Sequence, residues 1–136
     1  MNLVTTVDLW RAGAVGLAPT HPVFDHLGAR QLDAETFEVW LVVLTPDGQP
    51  ARLTTRMAAS DQLPTVSDLW AGASWCEREA SEGYDLRIGQ RELLLLTEES
   101  ERGVMRRERL LAPRQEPWPG SHEPSGRSRL TPLGRA

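Results

Sequence analysis

Two hydrophobic periods organise this chain. From Phe37 to Leu44 the chain is rich in β-branched and aromatic residues and apolar except at Glu38. Thr45-Pro46-Asp47-Gly48 follows, and Ala51–Met57 then alternates, with Leu53, Thr55 and Met57 on one side and Arg52, Thr54 and Arg56 on the other. Two such runs joined through Asp-Gly predict a β-hairpin. Its second strand has one dry and one wet face. The first, apolar on both faces over Val39–Leu44, belongs nearer the centre of a sheet. Val23–Leu32 is strand-compatible, and Leu93–Leu96 reads as a short buried strand. A helical period covers Asp8–Ala14, with Asp8 as cap and Trp10 and Ala14 four apart on one face, until Gly16, Pro19 and Pro22 break it. Ser67 caps a brief turn through Trp70 that Gly72 ends. Ser74-Trp75-Cys76-Glu77 then fits a capping box, which opens a helix from Trp75 to about Glu82, stopped by Gly83. The expected architecture is α+β: a small mixed sheet with a central hairpin, packed on one or two helices.

Residues 113–136 have no such period. They hold five of the ten prolines, with Gly120 and Gly126 between them, so they supply no core and are expected to form an extended tail. The predicted division is therefore a domain over 1–112 and a tail over 113–136. At 136 residues one core can form without metal or disulfide staples. No apolar run approaches the roughly 20 residues of a membrane span, and no basic stretch followed by an apolar one opens the chain, so a cytoplasmic protein is expected. Every one of the 15 positive residues is Arg. Residues 1–100 are net acidic and residues 101–136 net basic, which suggests that the basic end lies on an acidic surface, its own or a partner's. An acidic body with a pI near 5.4 fits nucleic acid poorly.

Candidate chemistry is sparse. The lone Cys76 excludes an internal disulfide, a Cys-based zinc site and an iron–sulfur cluster held by this chain alone. The acidic neighbours Glu77 and Glu79 carry the wrong charge to activate it as a nucleophile. His21 and His26 have no third ligand at metal spacing. Glu77 and Glu79 stand two apart, on different sides of a helix, and do not jointly flank one substrate bond. No Gly-rich phosphate loop is present. Trp70 and Trp75 suit a core or an interface equally. Trp118, isolated between two prolines in the tail, suggests docking on a partner. The basic run Arg102, Arg106, Arg107 and Arg109 lacks the aromatic interleaving of a nucleic-acid groove and suits contact with an acidic protein surface.

The stretch Pro64-Thr65-Val66-Ser67-Asp68-Leu69-Trp70-Ala71-Gly72-Ala73-Ser74-Trp75-Cys76-Glu77-Arg78-Glu79, with Glu82 beyond it, resembles a signature of respiratory complex I. It is that of the thirty-kilodalton subunit family, the C-type subunit of bacterial NADH-quinone oxidoreductase. The signature reads Pro-Ser-Val-Thr-Asp-Leu-Trp-Pro-Gly-Ala-Asn-Trp-Tyr-Glu-Arg-Glu, with a later acid. His21–Ala29, the hairpin, Gly103–Arg107 and Pro117-Trp118-Pro119-Gly120 are weaker echoes, the last similar to a tail motif of actinobacterial members. The chain departs from the family over Gly83–Glu92, where Gly-His-Pro is missing, and in Arg107-Glu108, where the family has Lys-Asp.

The resemblance implies a non-catalytic subunit of the peripheral arm of a proton-translocating NADH-quinone oxidoreductase, on the cytoplasmic face of the membrane. It would brace the quinone module against the D-type (forty-nine-kilodalton) subunit and near the B-type and I-type iron–sulfur subunits. Clusters, FMN and quinone would belong to those partners, with no cofactor, metal or catalytic residue in this chain. The expected interface residues are Trp70, Trp75, Glu77, Arg78, Glu79, Glu82, Arg106, Arg107 and Trp118. The divergent loop leaves open an equivalent subunit of a ferredoxin- or hydrogenase-linked complex. A reading of a different class is a free-standing small enzyme using Glu77 or Glu82 with Cys76.

Overall fold

The structure is a computed structural model that describes residues 1–89, 94–98 and 100–109. The elements run β1 (Asn2–Thr5), α1 (Val7–Leu17), β2 (Val23–Gln31), β3 (Thr36–Leu44), β4 (Pro50–Ala58), β5 (Gln62–Leu63), α2 (Ala73–Tyr84) and β6 (Arg87–Ile88). Four strands form one sheet in the order β1-β4-β3-β2, and β5 and β6 make a separate two-stranded parallel pair. The fold is α+β.

The hairpin forms where the sequence places it. β3 pairs antiparallel with β4 from Thr36 opposite Ala58 to Leu44 opposite Pro50. The turn is closed by Thr45, whose N–H donates to the Gln49 carbonyl and whose carbonyl accepts from Gly48 N–H, both at 2.9 Å. Gly48 has φ +87°, a conformation glycine adopts without a Cβ penalty. β2 lies antiparallel on the other side of β3 with a bulge between Phe24 and His26, so β3 is central as expected. Phe37, Val39, Leu41 and Val43 of β3, with Ala51, Leu53, Thr55 and Met57 of β4, are buried on one face.

Both helices cover that same face. Trp10, Ala14 and Leu17, at i, i+4 and i+7, form the buried stripe of α1. Gly13 lets α1 close on β4, because a Cβ there would sit 3.1 Å from Leu53 Cδ1. α2 brings Tyr84 against Phe37, ring centroids 5.8 Å apart.

Several expectations are corrected. β1 is an additional strand; it pairs parallel with β4, and the terminal ammonium donates to the Pro50 carbonyl at 2.8 Å. α1 runs on through Gly16 to Leu17, and Thr6 rather than Asp8 is its cap residue: the stripe continues to Leu17, and burial outweighs the roughly 1 kcal/mol that an interior glycine costs. α2 starts at Ala73 and passes Gly83 to end at Tyr84, with Asp85 as its cap in the left-handed conformation. Its cap position is Gly72, with no side-chain cap; the Ser74 capping box does not form because Glu77 points elsewhere. Leu94–Leu96 form a bend rather than a strand, with Leu95 largely exposed. Leu93, most of the divergent loop's end and the 113–136 tail with Trp118 lie outside the described residues.

Candidate functional site

The motif segment folds back on itself. Past β5 the chain turns through Thr65–Trp70 and enters α2, whose first turns return Glu77 to the start of that loop. Glu77 Oε1 accepts from Val66 N–H and Oε2 from the Thr65 hydroxyl, both at 2.7 Å. Thr65 Oγ1 also meets the Ser67 hydroxyl at 2.8 Å and accepts from Ser67 N–H. Val66 is buried, and its carbonyl accepts from the N–H groups of Leu69 and Trp70. Trp70 is buried too, its indole N–H donating 3.0 Å to the His21 carbonyl. From α1, Arg11 closes the other side of the loop, donating to the Thr65 carbonyl at 3.0 Å and gripping Asp68 through both terminal nitrogens.

The electrostatics follow from this arrangement. Burial pushes the Glu77 carboxyl up; the Val66 and Thr65 donors and the more distant Arg11 pull it down, Asp68 adds to the rise, and burial prevails. Asp68 is held below the usual carboxylate range, chiefly by the Arg11 hydrogen bonds. Gly89 completes the enclosure at φ +55°, where a Cβ would stand 2.9 Å from Glu77 Oε2.

A second clasp lies at the far end of α2. Glu82 is buried and accepts from three successive backbone N–H groups, those of Leu94, Leu95 and Leu96. Burial raises its pKa, but the three donors, aided by Arg102, outweigh that and hold it below the ordinary value. The last carbonyls of α2 are satisfied by the chain that follows: Gly103 N–H donates to the Glu82 carbonyl and Met105 N–H to that of Gly83, both at 2.8 Å. Arg106 Nε donates to the Tyr84 carbonyl at 2.7 Å while its guanidinium lies 5.3 Å over the Phe37 ring. A cation there also suits the negative end of the helix dipole.

The nine expected interface residues therefore divide. Trp70, Glu77 and Glu82 are buried and spent inside the chain, so the fold does not present them at its surface. Arg106 is half-buried and caps α2; Arg78 is half-buried. Trp75 and Glu79 stand exposed on α2, and the Arg107 side chain, just past the cap, is exposed as well. Trp118 lies outside the described residues. Cys76 is half-buried beside a small cleft of about 150 Å³ lined by His26, Trp40, Glu79, Tyr84 and Met105 among others.

For an acid–base reading the geometry is unfavourable. Glu77 and Glu82 face opposite ends of α2, and each carboxylate already takes two or more protein donors. Among the described residues no three His, Cys, Asp or Glu side chains gather as a metal site.

Sequence reasoning missed Arg11, Gly89 and Gln31. Gln31 is buried, donates to Glu108 and accepts from Arg107 N–H, both at 2.8 Å, and so ties the end of β2 to the segment after α2. None of the three carries a local signal, because each acts on chain remote in sequence.

Comparison with known proteins shows which family carries this sequence. Residues 6–108 match the family described as the respiratory-chain NADH dehydrogenase, 30 Kd subunit. The chain belongs to that family. A 59-residue stretch is also 30% identical to the C/D subunit of NADH-quinone oxidoreductase from Sulfurihydrogenibium sp. (strain YO3AOP1), covering 43% of this chain and 10% of that protein. The chain thus spans a small part of that relative's length. The matched family is named for a subunit of the respiratory-chain NADH dehydrogenase, and none of this chain's described helices is long and apolar enough to cross a membrane.

Proposed function

We propose that this chain is a structural subunit of the peripheral arm of an NADH-quinone oxidoreductase, bracing the quinone module without itself handling electrons. The observation that carries this is what the family motif does here. Its acids, Glu77 and Glu82, are consumed in holding the loop and the segments around α2, which builds a rigid element for neighbours to pack on. Clusters, flavin and quinone then belong to other subunits, and electrons pass from NADH to quinone through them. The partners in this reading are the D-type subunit and the B-type and I-type iron–sulfur subunits, with the assembly at the cytoplasmic face of the membrane. Trp75, Glu79 and Arg107 are the motif-region side chains left free to meet them, and Trp118 in the tail is a further anchor.

The test is recovery of the tagged chain from mildly solubilised native membranes, with partners identified by mass spectrometry. Recovery with the D-type and cluster-bearing subunits supports the reading. The presence of the flavin-bearing NADH module in the same fraction identifies the donor; its replacement by a ferredoxin- or hydrogenase-type module would move the chain to a related complex. Recovery of the chain alone would overturn the proposal.

A further inference from the structure

Among the described residues the helices cover one face of the four-stranded sheet, and no element packs across the other. Strand pairing places its residues in rows: Arg56–Glu38–Arg30, then Val4–Thr54–Trp40–Gly28, then Asn2–Arg52–Val42–His26, with Leu44 beyond. A sheet face left in water normally alternates to polar residues at its outward positions. β4 obeys this, with Arg52, Thr54 and Arg56. β3 does not: it places Trp40, Val42 and Leu44 outward, each only half-buried, beside the 86% exposed Val4. Trp40 is laid across Gly28, where a Cβ would come within 2.6 Å of the indole, and Arg52 stacks on it at 5.1 Å. The centre is aromatic and aliphatic and the border is arginine, the composition enriched in protein interfaces.

We infer that this open face is a docking surface for another subunit of the complex, one that presents carboxylates around an apolar centre. The inference rests on the reading of the chain as a subunit. Charge selects the occupant. In a chain of net charge −4, these rows hold Arg30, Arg52 and Arg56 against a single acid, Glu38, which is already paired with Arg30 at 2.7 Å. Asp8 and Asp61 border only the corner where β1 enters α1, and Glu79 of α2 stands at the opposite, β2 edge, in the cleft beside His26 and Trp40. A second copy of this chain would set one basic face against another. The chain's own residues 110–136 carry Arg114, Arg127, Arg129 and Arg135 against Glu116 and Glu123, so they too are repelled. An acidic partner gains on both counts.

The test places a single cysteine at Val42 or Thr54 (Val42→Cys, Thr54→Cys) in a Cys76→Ser background, and compares maleimide labelling of the full chain alone with that of the assembled complex. Labelling at least about tenfold slower in the complex is expected. A benzophenone maleimide at the same cysteine should cross-link to an acidic segment of another subunit, and the double reversal Arg52→Glu/Arg56→Glu should weaken retention in the complex by about tenfold or more. Equal labelling in both states overturns the proposal while leaving the subunit reading intact, since the chain is then in the complex with this face in water. Cross-linking to residues 110–136 or to a second copy overturns it as well. A chain that enters no complex sinks both readings together. The cysteine variants change side chains of similar size, so this test survives if the charge reversal fails to fold.

Discussion

Replacing Glu77 by alanine removes the clasp that joins α2 to the Thr65–Trp70 loop. Two hydrogen bonds to a carboxylate are lost, each worth about 1.5–3 kcal/mol, and the buried Val66 N–H is left without its acceptor. Removing a carboxylate that is 5% exposed relieves its burial and offsets part of that loss. The net expectation is a destabilisation of about 2–3 kcal/mol, or a Tm lower by roughly 10 °C for a chain of this size. Glu77→Gln behaves differently. Its amide oxygen still accepts from Val66, and its NH₂ donates to Thr65 Oγ1, whose hydroxyl proton turns to Ser67, so the cost stays within about 1 kcal/mol. The pH dependence separates the two accounts. The folded Glu77 pKa is raised above its ordinary 4.5, so the native state binds this proton more tightly than the unfolded state does. Its unfavourable contribution is full above the folded pKa and is relieved as pH falls from there toward 4.5. Urea titrations between neutral pH and 4.5 should therefore show the wild type gaining stability relative to Glu77→Gln on acidification. A Glu77→Ala cost below about 0.5 kcal/mol, the range of surface substitutions, would refute the clasp. A wild type that loses ground to Glu77→Gln over that pH range would refute the burial argument.

Three further perturbations probe other parts of the fold. Thr55 is fully buried on β4, and its hydroxyl has no hydrogen-bond partner among the described residues; Thr55→Val should stabilise by about 1–2 kcal/mol in the same titrations. Gly89→Ala combines a positive φ with a clash against Glu77 Oε2 and Thr65, and should cost at least about 1–2 kcal/mol, with hydrogen exchange at Val66 and Ser67 accelerating alongside. Arg106→Ala uncaps α2 and removes the cation from the Phe37 ring; a loss of about 1–2 kcal/mol is expected, with amide exchange rising at Gly83 and Tyr84 but unchanged at Trp10.

The hairpin, the central place of β3, the buried stripe of α1 from Trp10 to Ala14 and the α+β class were all legible from residue order, because alternation, 3.6-residue spacing and Asp-Gly turn chemistry act over a few neighbouring residues. The family motif was legible as well, over Pro64–Glu79. Its physical task was not. Glu77 in a Ser-x-x-Glu context reads as a capping box, yet its carboxylate has two routes to unsatisfied donors, and only the packed loop decides that Val66 N–H and Thr65 win over the helix start. Glu82 reads as an interface acid beyond the motif, yet it is buried inside the chain, where three backbone N–H groups from Leu94–Leu96 converge on it, and backbone donors leave no mark in a sequence. β1 escaped notice because four residues make a strand only when β4, some 50 positions away, offers a free edge. Likewise, the run Val39–Leu44 determined by itself that both faces of its strand are apolar. Only the tertiary structure decided that the helices cover just one of them, since α1 packs on Leu53 and α2 on Phe37, on the same side, and no other described helix is left for Trp40, Val42 and Leu44.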